Sequence, residues 1–173
     1  FVDDVNLHKK FHAQFLKGFT FAFDEKDRNV REVAPRDLLK WSKYRFYEIS
    51  EFRRQNHRLL KRIEFFMNFV HVQLGSEPLS LDELTRMEGR YSAILVTDSV
   101  TTKIIGFVLF ESCRRVFKSL LGCDASAIEL EPVEIENQLA QNESLIGVSR
   151  IWTDPKHRNR GLASTMLDLK CSE

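Results

Sequence analysis

The apolar positions of the chain change period several times, and each change predicts an element. Leu59, Ile63, Phe66, Met67, Val70 and Leu74 recur in steps of three and four, which predicts a helix with one core-facing stripe. Gly75 is its natural stop. The whole stretch 35–74 lacks internal Gly or Pro, and Pro35 suits a first-turn position, so helix is predicted over 35–74. That length is unusual for one domain, and a break is expected near 51–56. Residues 18–23 alternate and read as a strand, 24–29 as a turn, and 30–34 as a return strand of the same hairpin.

Ser80-Leu81-Asp82-Glu83 matches a capping box opening a short helix that ends at Gly89. Strands are predicted at 91–97 and 103–110, joined by a turn at 98–102. Residues 145–153 are apolar and β-branched enough for a buried strand, which Pro155 ends because it has no N–H. Helical spacing then returns through Leu162, Met166 and Leu169, with Ala163 and Leu167 beside them. Between 111 and 142 the pattern is ambiguous. Residues 114–121 fit either helix or extended strand. Residues 124–143 are acidic around Pro132 and are expected to form an exposed loop, either simply solvated or guiding a basic substrate.

Composition narrows this picture little. A chain of 173 residues, 43% apolar and 29% charged, holds one domain with a proper core, and its 14 Phe make that core aromatic-rich. The net charge of +1 favours no class of partner. No apolar run approaches the roughly 20 residues of a membrane span, so no membrane association is expected. Cys113, Cys123 and Cys171 are odd in number and lack a Cys-x-x-Cys pair, which fits reduced thiols used for packing in an intracellular protein. The start at Phe1 without Met or a basic leader, and the abrupt end at Glu173, suggest a piece of a longer protein.

Two stretches carry candidate chemistry on residue type alone. Residues 7–15 are amphipathic at helical spacing and place His8 and His12 four apart on one face. They are either paired surface histidines, which spacing alone favours, or half of a tetrahedral zinc site. Residues 36–62 are rich in Lys and Arg, with Trp41, Tyr44, Phe46, Tyr47 and Phe52 interleaved. Such a basic aromatic helix is either a nucleic-acid or acidic-protein face, or a helix with aromatics inward and cations solvated. Helical spacing and the lack of a nucleic-acid module signature favour the second.

The join between the last strand and helix is the most informative stretch. Arg158-Asn159-Arg160-Gly161-Leu162-Ala163 is an Arg-x-x-Gly-x-Ala pattern at a helix start. Helix N-termini expose unpaired N–H groups and a partial positive charge, Gly lets backbone approach a ligand, and two arginines add charge, so a phosphate is the natural guest. The alternative is a basic turn capping a surface helix. The pattern resembles the pyrophosphate-binding motif of the GCN5-related N-acetyltransferases. With Ile146-Gly147-Val148-Ser149-Arg150-Ile151-Trp152 in front of it, the string is similar to the cohesion-establishment acetyltransferases.

That resemblance implies an α+β fold with a mixed, mostly antiparallel sheet flanked by helices, its C-terminal part missing here. It implies acetyl-CoA as cofactor. Ile151, Trp152 and Thr153 would offer backbone groups to the pantetheine arm, and Arg158, Asn159, Arg160, Gly161, Leu162, Ala163 and Ser164 would cradle the pyrophosphate. It makes residues 1–17 the tail of a two-Cys, two-His finger and 18–173 the acetyltransferase domain. His8 and His12 are then zinc ligands whose cysteine partners lie upstream. The implied function is acetylation of lysines on a cohesin SMC subunit during sister-chromatid cohesion, in the nucleus on chromatin, with replication or chromatin proteins and DNA as further contacts. Two other readings stand beside it: a DNA-docking module built on 36–62, and an acetyltransferase with an unrelated substrate. No residue is assigned as catalytic base.

Overall fold

Nearly every position from 91 to 110 outside the turn is apolar, so the strands formed there are buried on both faces. The computed structural model describes residues 18–23, 27, 29–86, 90–113, 116–117, 132–133 and 145–171. In chain order, the strands are β1 (Val30–Val33), β2 (Tyr44–Ile49), β3 (Tyr91–Asp98), β4 (Ile104–Cys113), β5 (Val116–Phe117), β6 (Pro132–Val133) and β7 (Leu145–Thr153). The helices are α1 (His57–Leu74), α2 (Leu81–Arg86) and α3 (Leu162–Cys171). Five strands form one antiparallel sheet in the order β1-β2-β3-β4-β7. The short strands β5 and β6 pair with each other.

Strand alternation sorts the core into two layers. Ala93, Leu95, Phe107, Leu109 and Trp152 join the buried stripe of α1, whereas Ile94, Val96, Val108 and Phe110 join Leu162 and Met166 of α3. On the α1 side the packing is aromatic: the ring of Phe66 lies 5.4 Å from Phe107 and 5.7 Å from Trp152, both edge-on. On the other side α3 sits close because β4 offers Gly106 beneath it. A Cβ there would come within 3.1 Å of Leu162 Cδ2 and 3.2 Å of Met166 Sδ.

The expected break near 51–56 is present. Glu51 adopts a left-handed conformation (φ 49°), Phe52–Arg54 makes one 3-10 turn, and Asn56 caps α1 by accepting from the Leu59 N–H at 2.8 Å. Gly75 closes α1 at φ 62°, though Leu74 itself is largely exposed. The capping box is also as read: the Ser80 N–H donates to Glu83 at 2.9 Å, and the Glu83 N–H to Ser80 Oγ at 3.3 Å.

Three expectations need correction. The helix expected ahead of the break is not formed: 38–43 is a turn and Tyr44–Ile49 is a strand between β1 and β3, while 57–62 belong to α1 as expected. The aromatic and β-branched character of that stretch prevails once two neighbours supply ladders. Its buried Trp41, Phe46 and Phe52 belong to the core, which removes the basis for a DNA-docking helix. Second, 18–23 does not pair with 30–34. It holds one bridge, Thr20 to Lys103, with Phe21 N–H to Thr102 O at 2.8 Å, while β1 pairs with β2. Third, the stretch read as exposed loop contains β6. His8, His12, Gly89 and most of 114–143 lie outside the described residues.

Candidate cofactor site

The site begins where β7 runs past its neighbour. Phe107 faces Trp152 and the Asp154 N–H donates to Ile105 O at 2.9 Å, so Trp152 spends its backbone groups on β4. By the same alternation, Ile151 and Thr153 turn their N–H and C=O groups to the other edge, which no described strand occupies. The register slips between Leu109 and Phe110, which leaves Ser149 as the extra residue of a bulge. Bulges bend a strand and re-aim its groups, and this one lies two residues before Ile151.

Past the strand, Asp154 organises the turn. Its carboxylate accepts from the Lys156 N–H at 2.8 Å and sits 3.2 Å from His157 Nδ1, and Pro155–His157 makes a 3-10 turn. Arg158 donates back to Thr153 O at 3.1 Å. Asn159 (φ 59°) and Gly161 (φ 83°) are both left-handed, and α3 starts at Leu162. The Thr165 N–H reaches Gly161 O at 3.0 Å as the first helical bond, so the N–H groups of Leu162, Ala163 and Ser164 have no acceptor within the helix. Arg158, Asn159, Arg160, Gly161 and Ser164 are exposed there. Among the described residues neither Arg158 nor Arg160 has a carboxylate partner. The turn therefore presents uncompensated positive charge and free donors, which suits a phosphate.

The residues expected to grip the cofactor line the end of β7, the turn and the α3 start, but the Trp152 backbone expected to face the pantetheine arm is paired to β4 instead, and the side chains divide in use. Leu162 and Trp152 are buried core residues, Ile151 packs against the α3-side cluster, and Ala163 is half-buried. The Trp152 indole N–H is buried without a partner among the described residues. A separate cavity of about 210 Å³, lined partly by Ser50, Ser92, Ser112 and Lys170, lies at the opposite end of the strands.

Arg150 was legible only as part of a motif; its role is structural. It sits beside the bulge, donating to Ser149 Oγ at 2.7 Å, to Glu77 O at 2.9 Å and to His71 Nδ1 at 3.1 Å. It thus ties β7 to the α1–α2 linker. His71 is 3% exposed, and its Nε2 also faces the Leu79 N–H at 2.9 Å. A neutral ring accepts from one of these two donors and a protonated ring from neither. Burial, with Arg150 adding to it, pushes the His71 pKa below its usual value. The folded state therefore binds a proton less readily than the unfolded chain. The resulting stability is complete above the usual histidine value of about 6.5 and is lost as pH falls through the lower folded value. In urea titrations from pH 7 to 5, the wild-type midpoint should fall more than that of His71→Gln; parallel curves would show that His71 is not the group responsible.

With this geometry in place, similarity to known proteins becomes specific. A family described as ESCO1/2 acetyl-transferase matches residues 142–173, which spans β7, the turn and α3. The N-acetyltransferase eso1 of Schizosaccharomyces pombe is 26% identical over 171 residues, covering 96% of this chain. The chain spans 18% of that relative's length. The solved xEco2 acetyltransferase domain bound to a CoA conjugate superposes with a TM-score of 0.52 at 22% identity, over 76% of this chain and 70% of that one. A second structure of the xEco2 domain gives 0.50 at 22% identity, over 76% and 69%. The chain has the GCN5-related N-acetyltransferase fold of the xEco2 domain, and its residues 142–173 are similar to the ESCO1/2 acetyl-transferase family. In this chain the stretch matched by the family is also the stretch where, among the described residues, open helix donors meet cations without carboxylate partners.

Proposed function

We propose that this chain is an ESCO1/2-type domain, the cofactor-binding part of a protein-lysine N-acetyltransferase that uses acetyl-CoA and acts on a cohesin SMC subunit, in the nucleus on chromatin. The observation carrying this reading is the start of α3. Gly161 is left-handed, the N–H groups of Leu162 to Ser164 are open, and Arg158 and Arg160 lack carboxylate partners among the described residues. That cradle follows directly on a strand whose outer edge no described strand occupies. The fit to CoA is supported by the xEco2 domain of the same fold, which is known bound to a CoA conjugate.

In this reading the pyrophosphate rests on the α3 start and the pantetheine arm runs along the open edge of β7. Bound acetyl-CoA supplies the acetyl thioester. The N–H groups of Ile151 and Thr153 are the edge donors available to orient the arm and polarise the carbonyl. The bulge at Ser149, held by Arg150, sets where those donors point. The attacking lysine must be neutral, which calls for a base or water chain that no described side chain is assigned to supply.

The test incubates the protein with labelled acetyl-CoA and a cohesin SMC head domain, alongside a calorimetric titration with CoA. Label on SMC lysines and saturable CoA binding are expected. CoA binding without SMC labelling would leave an acetyltransferase fold with an unrelated substrate. Absence of CoA binding would remove the cradle reading altogether.

A further inference from the structure

We propose that Lys40, from the turn between β1 and β2, is a third cation of the phosphate cradle and contacts the pyrophosphate of the bound nucleotide. The inference rests on the cradle reading of the α3 start. Nothing in the local sequence around Lys40 suggests it; the topology does. β2 begins at the same end of the sheet at which β7 finishes, because Tyr44 lies opposite Asp98 and Gly106 opposite Thr153. The turn leading into β2 is therefore brought beside the turn leading out of β7.

That placement is fixed by packing on both sides. Trp41 is 5% exposed and shares one buried cluster with Leu162 and Met166 of α3. The ring of Tyr44 meets His157 edge-on at 5.9 Å. Asp37 accepts from the Lys40 N–H at 3.1 Å and shapes the turn. The Lys40 stem lies back over Trp41, with Nζ 4.8 Å from the ring centroid. In that position Nζ is 3.4 Å from where a Cβ on Gly161 would be.

An ammonium group beside the positive end of a helix is unfavourable unless an anion lies between them. Among the described residues Lys40, like Arg158 and Arg160, has no carboxylate partner. The three cations come from two turns that approach the α3 start from different directions, and a diphosphate has two charged groups to share among them. Arg158 is already held by Thr153 O, so Lys40 is the more mobile donor, able to leave the Trp41 face for an oxygen. Gly161 leaves the space between them open.

The test compares wild type, Lys40→Ala and Lys40→Arg in calorimetric titrations with CoA and with dephospho-CoA, which keeps the pyrophosphate and lacks the 3′-phosphate. Lys40→Ala should weaken both ligands about 5- to 20-fold, at or below the low end for a charge-assisted contact because Lys40 is exposed, and Lys40→Arg should restore most of the loss. Trp41 fluorescence should change on CoA binding in wild type and much less in Lys40→Ala. Equal affinity of wild type and Lys40→Ala would overturn the proposal while leaving the cradle intact. A loss seen with CoA but not with dephospho-CoA would also overturn it, because Lys40 would then serve the 3′-phosphate. A wild type that binds neither ligand would bring down the cradle and the proposal together.

Discussion

Gly161→Asp is expected to weaken CoA binding by about 100-fold or more, equivalent to about 3 kcal/mol, while leaving the fold in place. Two effects act at this position and differ in size. At φ 83° any side chain is strained, but Asp and Asn tolerate left-handed backbone best, so folding loses about 1 kcal/mol. The charge matters more. A Cβ there would stand 3.4 Å from Lys40 Nζ and beside the open N–H groups of α3, so the new carboxylate takes the anion's place and its partners. Calorimetry with CoA and urea unfolding separate the two effects. Gly161→Ala carries the strain without the charge and should retain most of the affinity. If alanine and aspartate lose equally, the site is defined by backbone shape and the phosphate reading of its charges fails.

What the chain reveals unaided depends on whether a signal is local. α1 could be read because its stripe, its break at 51–56 and its Gly75 stop all lie within one stretch. β3, β4 and the extent of β7 could be read because turn residues punctuate runs of apolar residues, but β7 is not the buried strand expected: Ile146 and Val148 are exposed and only Trp152 is buried. The strand Tyr44–Ile49 could not. Six residues carry both periods equally well, and only the neighbours β1 and β3 decide between them. The pairing of 18–23 was misassigned for a related reason: proximity in sequence suggested a hairpin with 30–34, whereas Lys103 offers the bridge. At the site, the shape of the Arg158 to Ser164 turn was legible because a basic turn with Gly before a helix start is a local pattern. Lys40 was not, since it reaches Gly161 only through the sheet. Nor did the sequence show that Trp152 turns its backbone to β4, which follows from register alone.

Glu48→Ala should cost about 3–5 kcal/mol of stability, the range for removing one member of a buried ion pair. Glu48 stands on β2 at 5% exposure, and its carboxylate accepts from Lys170 of α3 at 2.7 Å and from Arg31 of β1. It therefore joins three elements at once. The two cations differ in environment: the Lys170 side chain is 16% exposed and that of Arg31 is 59% exposed. Alanine removes the Glu48 carboxylate from Lys170, which stays largely buried, whereas the more exposed Arg31 loses less by its removal. Lys170→Ala should accordingly cost more than Arg31→Ala, and a double-mutant cycle should couple Glu48 to Lys170 more strongly than to Arg31. The pH dependence follows from the same contacts. Burial opposes ionisation of Glu48, but the hydrogen bonds and charges of Lys170 and Arg31 outweigh it and hold the carboxyl below its usual range. Its contribution is complete above the unfolded value and lost as pH falls through the lower folded one. The gap between wild type and Glu48→Ala in urea should thus be widest near neutrality and close below about pH 4.5. A gap that stays constant down to pH 3 would mean that the ion pair is not what alanine removes. Because Lys170 anchors the far end of the helix whose start forms the cradle, Glu48→Ala should also weaken CoA binding, though much less than Gly161→Asp.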